Sequence, residues 1–422
     1  MNDILFGLFI AVGLINTAHL GAYVAGANIY DIWQFRRSLR KVKGFRKQPF
    51  VSIIVPAHNE ELVIERCLES IRANRYRNKE VIVHSDKSSD ATVKIIRAYQ
   101  KKYPKFALRV IDRKKQVGKA GGVNFAIQRY AKGSLIMTLD ADCVLREDAI
   151  KNAVAYFRDP TTVGVAANVR LMDQPTILGI LQKFEHMIGY RSKKFYTMTN
   201  SEFIVGGVAS TYRREILEEV GYYDTDTMTE DIGLSMKIVA TGNKTRRIIY
   251  GADVVAATEP VHSFKALLKQ RYRWKMGSMQ NLLKHTNMIA SRDKKYSKML
   301  TWYRLPFSFL SEGILLIQPI LITYILFLSF QYQTLGFFVG AYFTITIYIL
   351  MAVWPDEHAT VKHKIGMSLY APIVYFTFYI MDAIQVVSII RCLINPKQLM
   401  RRTAEQSTWV SPARAGQQVE FS

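Results

Sequence analysis

Between residues 50 and 251, short apolar runs alternate with stretches whose apolar positions recur every three or four residues. Residues 51–55 are an apolar run stopped by Pro56 and predict a buried strand. Residues 61–73 have helical periodicity, 80–84 predict a second strand, 90–103 a helix and 106–111 a third strand. Residues 119–132 predict a third helix and 135–139 a fourth strand that ends at Asp140. Strands and helices alternating at this length predict an α/β domain with a mostly parallel, Rossmann-like sheet and helices on both faces. Ligands in such sheets bind beyond the carboxyl ends of the strands.

Outside that block the pattern is apolar over lengths that can cross a bilayer. Residues 4–30 carry no formal charge apart from a proton on His19. The run exceeds a secretory apolar core and no small-residue cleavage site follows, so it reads as a retained anchor. Residues 313–330, 335–354 and 367–390 are the other candidate spans, and 265–302, rich in basic and aromatic residues, predict amphipathic helices at the membrane surface. The expected division is an anchor (1–35), a soluble domain (36–260), interfacial helices (261–303), membrane helices (304–395) and a polar tail (396–422).

Charge orients this arrangement. The net charge is +23, and residues 36–47 hold seven basic side chains and no acid directly after the first span. The positive-inside rule places the soluble domain in the cytoplasm of a multi-pass cell-membrane protein, with lipids as partners. Most of the remaining positive charge, including Lys284, Arg292, Lys294, Lys295 and Lys298, reads as attraction to anionic lipid. No nucleic-acid-binding motif is present, so nucleic acid is not an expected partner. Three later crossings would leave Lys397, Arg401 and Arg402 outside, against the rule; Gln318-Pro319 is the expected place where the first of them is interrupted. Cys67, Cys143 and Cys392 are far apart, which predicts neither a disulfide framework nor a zinc site. His58, His84, His186 and His262 show no clustered metal spacing.

Polar residues that could do chemistry follow the strand ends. Glu60, in Pro56-Ala57-His58-Asn59-Glu60, could accept hydrogen bonds from a nucleobase or ribose, or simply start the next helix. Asp86 ends the second strand, while Asp90 is placed to cap the helix after it. Gly118-Lys119-Ala120-Gly121-Gly122 opens a helix, where glycines and a lysine suit a diphosphate. Asp140 and Asp142 alternate on an extended segment, so their carboxylates can face one site and hold a hard cation, Mg²⁺ or Mn²⁺. Small residues at 204–210 either let a ligand pass closely or make a tight turn. Thr229-Glu230-Asp231 begins a predicted helix at 232–240; Thr229 could cap it, and the acids suit its dipole. Gln270, Arg273 and Trp274 can share one helix face, with arginine suited to phosphate and tryptophan to a sugar ring. Glu312, Gln318, Asp382 and Gln385 are polar within apolar segments and are candidates for lining a pathway.

Taken in order, Asp86, Asp140-Ala141-Asp142, Thr229-Glu230-Asp231 and Gln270-Arg271-Tyr272-Arg273-Trp274 resemble the motif set of processive family 2 glycosyltransferases. The resemblance covers nearly the whole chain from Phe50 onward. It is closest to bacterial poly-β-1,6-N-acetylglucosamine synthases, whose C-terminal end the segment from Thr408 to Arg414 is similar to; hyaluronan, chitin and cellulose synthases share the same parts. It implies a GT-A-type fold and an inverting hexosyltransferase. Asp231 is the implied general base, with Glu230 beside it in the catalytic set. Glu60, Asp86, Lys119, Asp140, Gln270, Arg273 and Trp274 are implied to bind donor and acceptor, and Asp142 and Asp140 to bind the metal. Where that family usually shows two adjacent acids and a glycine, this chain has Ser85, Asp86 and Lys87. The expected partners are a UDP-sugar donor, UDP-N-acetylglucosamine foremost, and a growing polysaccharide exported through the membrane domain, with an accessory subunit left open. The alternatives are a hyaluronan-type synthase using two UDP-sugars, a nonprocessive transferase to a lipid carrier, and an inactive membrane subunit that binds nucleotide or lipid.

Overall fold

The computed structural model describes residues 2–39, 45, 47–332, 335–356, 359–400 and 416. Most of the basic segment after the first span, and Arg401, Arg402 and Thr408 to Arg414, lie outside the described residues. In chain order the regular elements are α1 (Asn2–Leu39), β1 (Val51–Ala57), α2 (Ile64–Ala73), β2 (Lys79–Asp86), α3 (Thr92–Lys102), β3 (Leu108–Arg113), α4 (Gly118–Tyr130) and β4 (Leu135–Thr138). There follow β5 (Val144–Leu145), α5 (Ala149–Tyr156), β6 (Thr162–Leu171), α6 (Ile177–Met198), β7 (Ser210–Arg213), α7 (Arg214–Glu219), α8 (Glu230–Ala240) and β8 (Arg247–Thr258). The chain closes with α9 (Phe264–Lys284), a π-helical turn (Met299–Arg304), α10 (Leu305–Gln331), α11 (Gly336–Val353), α12 (Val361–Leu393) and α13 (Pro396–Met400).

The eight strands form one sheet in the order β3-β2-β1-β4-β7-β6-β8-β5. β3, β2, β1 and β4 are mutually parallel, as the alternating pattern predicts. β1 lies inside this block between β2 and β4, and its mostly apolar sequence suits two covered faces, with buried Ser52 donating to Glu80 at 2.6 Å. β7 then runs antiparallel to β4 and β6, and short β5 antiparallel to β8. Two cores result. One packs α2, α3 and α5 on one face through Ile64, Leu68, Ile96 and Val154; the other packs α4, α7 and α8 on the opposite face through Val123, Ile127, Leu217 and Leu234.

α1 is more than a tether. Its last turns enter the soluble domain, where Tyr30 is fully buried and its hydroxyl donates to the Tyr250 carbonyl oxygen at 2.7 Å. Among the described residues three helices are long and apolar enough to cross a membrane, within Ile4–Arg36, Met299–Gln331 and Phe376–Leu393; Tyr342–Val353 is a shorter apolar helix. The interruption expected at Gln318-Pro319 is not a break, because α10 continues through Pro319. A proline removes one backbone donor, which bends a helix without ending it when its neighbours still pack.

The segment expected to lie on the membrane surface is also more integrated. α9 packs on α8 on one side and on α12 on another, burying Leu267, Arg271, Gly277 and Asn281. Lys284, grouped by sequence with lipid-facing charge, instead pairs with Asp226 at 2.6 Å and Asp224 at 3.5 Å.

Candidate active site

A cavity of about 640 Å³ opens beyond the carboxyl ends of β1, β2 and β4. It runs from His58, Glu60 and Asp86, past Asp140 and Asp231, to Arg304, Ser308, Ser311 and Glu312 among the apolar helices. Every candidate substrate, metal and base residue lines it: Glu60, Asp86, Lys119, Asp140, Asp142, Glu230, Asp231, Gln270, Arg273 and Trp274.

Strand ends position the first group. Glu60 is buried and lines the cavity, and its carbonyl oxygen accepts from the Val63 and Ile64 N–H groups in the turn before α2. The Asp86 carboxylate accepts from the backbone N–H groups of Val117 at 2.8 Å and Gly118 at 2.9 Å. That contact shapes the loop opening α4, where Gly118 takes a φ of 76°. Asp90 lies one residue before Ala91, the N-cap of α3, and takes hydrogen bonds from the N–H groups of Thr92, the first residue of that helix, at 3.0 Å and of Glu61 at 3.1 Å.

Lys119 is the hub. Its Nζ lies 2.7 Å from Asp140 Oδ1 and 3.2 Å from Glu230 Oε1. Burial alone would lower its pKa, but the carboxylates of Asp140, Glu230 and Asp231 outweigh it and hold the ammonium well above the ordinary lysine value. Asp231 moves the other way. Burial and its neighbour Glu230 push it up to about 6, against the pull of Lys119 and Arg273. Gly207 leaves the space these groups share. A Cβ there would stand 3.0 Å from Lys119 Nζ, 3.6 Å from Asp231 Oδ2 and 4.0 Å from Asp140 Oδ2. The small-residue stretch thus serves close approach in the cavity wall, while its Gly207 carbonyl oxygen accepts from Thr138 Oγ1 at 3.2 Å.

Asp142 sits in a different pocket of contacts from Asp140. It is 5% exposed and accepts from Cys143 Sγ and Thr258 Oγ1, each at 3.1 Å. The end of β8 brings Thr258 there, because β5 pairs Val144 with Ala257. Arg66 donates to the Asp142 carbonyl oxygen at 3.0 Å and pairs with buried Glu259 at 2.8 Å. Sequence reading missed Arg66, Thr258 and Glu259, which only the β5–β8 pairing gathers. Among the described residues no group of three or more His, Cys, Asp or Glu side chains stands ready to hold a metal. The donors that Asp140 and Asp142 offer are nevertheless hard oxygens at the mouth of a buried strand, the chemistry Mg²⁺ or Mn²⁺ selects.

α8 and α9 are locked together behind Asp231. Thr229 makes no side-chain cap of α8, so the capping expectation is corrected. Its hydroxyl and carbonyl oxygens instead accept from Asn281 Nδ2 at 3.2 and 3.1 Å. Gly277 makes this approach possible, since a Cβ there would lie 2.7 Å from Thr229 N. Gln280 Oε1 adds a hydrogen bond from Met228 N at 3.1 Å. Gly277, Gln280, Asn281 and Lys284 recur at three- and four-residue spacing, a legible stripe that does not itself name its partner. One turn earlier, Gln270, Arg273 and Trp274 face the cavity. Arg271, nearly fully buried, pairs with Glu185 of α6, and its guanidinium lies 4.2 Å from the Trp274 ring centroid.

Residues 52–221 match the glycosyl transferase family 2 model. The chain carries a family 2 glycosyltransferase domain. Its relatives include a poly-beta-1,6-N-acetyl-D-glucosamine synthase of Staphylococcus epidermidis, 26% identical over 393 residues, covering 90% of this chain and 91% of the relative. Another of the same description, from Staphylococcus aureus, is 31% identical over 237 residues, 56% of each chain. Among solved structures, a mannosyltransferase from Pyrobaculum calidifontis in complex with GDP-Man and Mn²⁺ aligns with a TM-score of 0.55 at 22% identity, covering 92% of this glycosyltransferase and 99% of that chain. That likeness is one of GT-A fold.

Of the polar residues expected in the membrane helices, Glu312 and Gln385 line the cavity, and Glu312 also pairs with Lys275 at 2.7 Å. Gln318 and Asp382 bond to each other at 2.8 Å.

Proposed function

We propose that this family 2 glycosyltransferase is an inverting, processive synthase. It extends a β-linked polysaccharide from a UDP-sugar, UDP-N-acetylglucosamine foremost, at the cytoplasmic face of a membrane. The observation that carries the proposal is one continuous cavity. Its lining includes the Lys119–Asp140–Asp231 cluster, the Gln270–Trp274 helix face, and Glu312 and Gln385 between apolar helices. The poly-beta-1,6-N-acetyl-D-glucosamine synthases that match most of the chain support the polymer and the donor.

In this reading Asp231 takes the proton from an acceptor hydroxyl as its oxygen attacks the anomeric carbon. The bond from that carbon to the donor phosphate breaks, and UDP leaves from the opposite face, so an α-linked donor yields a β-linked product. An Asp231 pKa near 6 leaves the base ionised at neutral pH yet basic enough to accept a proton. The α4 N-terminus and Lys119 receive the diphosphate. Glu60 and Asp86 flank the nucleoside, Asp86 by shaping the loop before Gly118. Arg273 supports the diphosphate from the far side, and Trp274, held by Arg271, offers a face to the acceptor sugar. A divalent cation held by Asp142 and Asp140 would neutralise charge on the departing diphosphate.

The test is UDP release by the protein in lipid nanodiscs with Mg²⁺ or Mn²⁺, over single UDP-sugars and pairs, with product sizing. Long chains from UDP-N-acetylglucosamine alone are the expected result. Products one sugar longer than the acceptor would overturn processivity, and an absolute need for two donors would overturn the homopolymer.

A further inference from the structure

A second cavity lies away from the active site, where α6 and β6 meet the connection between α11 and α12. It measures about 90 Å³. At about 30 Å³ per water in the liquid, that volume admits a few waters or one phosphate group, and no nucleotide. Its formally charged lining is Arg170, Lys183, Arg191, Lys194 and Asp356, beside the imidazoles of His186 and His363.

Arg191 makes the cavity unusual. It is 4% exposed, and its Nη2 donates to the neutral Asn28 side chain of α1 at 2.9 Å. Its buried Nε finds no acceptor among the described residues. The nearby acids are engaged elsewhere: Asp31 pairs with Lys194, Asp173 with Lys183, and Asp356 with Arg170 at 2.8 Å. Arg170, Lys183 and Lys194 thus each have a carboxylate partner, whereas Arg191 bonds to the neutral Asn28 amide. A buried guanidinium with an open donor calls for an anionic acceptor, and its fork matches phosphate oxygens.

The location specifies which phosphate. Val353 at the end of apolar α11 and Met367 near the start of α12 form the other wall. We propose that this cavity binds the phosphodiester headgroup of an anionic phospholipid, with the acyl chains lying along α11 and α12. Basic pockets at the cytoplasmic ends of membrane helices are suited to such headgroups. The lipid would bridge α6, which also carries Arg191 toward α1, to the apolar helices α11 and α12. This site stands apart from the catalytic reading, and UDP turnover is not its readout.

The test uses the delipidated full-length protein in neutral detergent, with native mass spectrometry and thermal unfolding. The probes are phosphatidylglycerol, phosphatidylcholine and, separately, inorganic phosphate. Phosphatidylglycerol is expected to remain bound and to raise the unfolding midpoint, whereas phosphatidylcholine does neither. Arg191→Gln is expected to weaken retention roughly tenfold, the loss of about one charge-assisted hydrogen bond. Lys183→Gln, at the partly exposed rim, supplies a smaller loss if the buried variant fails to fold, and Lys101→Gln, exposed on α3 of the soluble domain, serves as the unchanged control. Equal response to phosphatidylglycerol and phosphatidylcholine, or wild-type retention in both cavity variants, would overturn the site. Equal stabilisation by inorganic phosphate would keep the phosphate site and overturn its lipid occupant.

Discussion

At the His58–Asp86 end of the active-site cavity, each polar group stands on, or a few residues beyond, the end of a parallel strand or at the start of the helix that follows. At the opposite end the same cavity is walled by α9 and α10, which come from a part of the chain with no strands. The first end is rigid because β1, β2 and β4 are central in the sheet and bonded on both sides. The second depends on side chains reaching between helices: Asn281 to Thr229, Arg271 to Glu185, Lys275 to Glu312. Asp231 sits at the junction, on α8, with Lys119 from the strand-built side and Arg273 from the helix-built side both acting on its charge. The comparison teaches that Asp231, the proposed base, is tuned from both halves of the molecule and held in place by the helix-built one.

The sharpest way to break this comparison is at the junction. Asp231→Asn keeps the shape and removes the proton acceptor, so UDP release should fall by about 10²–10⁴ in kcat, with UDP still bound in calorimetry. Undiminished turnover would reassign the base. Gly277→Ala tests whether helix packing places Asp231. The added methyl meets Thr229 backbone, and a shift of about 1 Å in the reacting groups should lower kcat by roughly 10²-fold. Its destabilisation should be about 1–3 kcal/mol in thermal unfolding.

Acidity gives a smaller effect with a definite sign. The carboxyl of Asp231 is held up to about 6, so its ionised, proton-accepting form is depleted as pH falls through that value. The turnover rate should drop about tenfold per unit below that pH, in a limb that Asp231→Asn lacks. The smallest expected change lies on the strand-built side away from the reaction. Asp90→Ala removes the acceptor for the Thr92 and Glu61 N–H groups and should cost about 1 kcal/mol of stability, with kcat unchanged. A large loss of activity there would mean that the first end is less independent of its helices than the sheet indicates.

The strand-built end was legible because local pattern and function coincide in it. Alternating apolar runs define β1, β2 and β4, and the polar residue that ends each run falls at the cavity by the geometry of a parallel sheet. Glu60, Asp86, Lys119, Asp140 and Asp231 all reach it. Arg66, Glu259 and Thr258 were not legible, since an ion pair between α2 and the segment after β8 leaves no periodic trace in either. The same holds for α9. Its Arg271 reads as one more basic residue in a basic stretch, yet it is buried against Glu185 some eighty positions earlier.

What the chain determines by itself is therefore the alternation of elements, the apolar lengths of its membrane-type helices, and the types and order of its reacting groups. These follow from neighbours within a few residues and from the motifs they spell. Only the tertiary structure decided that Lys119 holds three acids together, that Asp140 and Asp142 have different partners, and that α9 locks the helix of Asp231. Each of these depends on charges and hydrogen bonds between segments distant in sequence. Their strength is set by burial and distance, which exist only after the chain has folded.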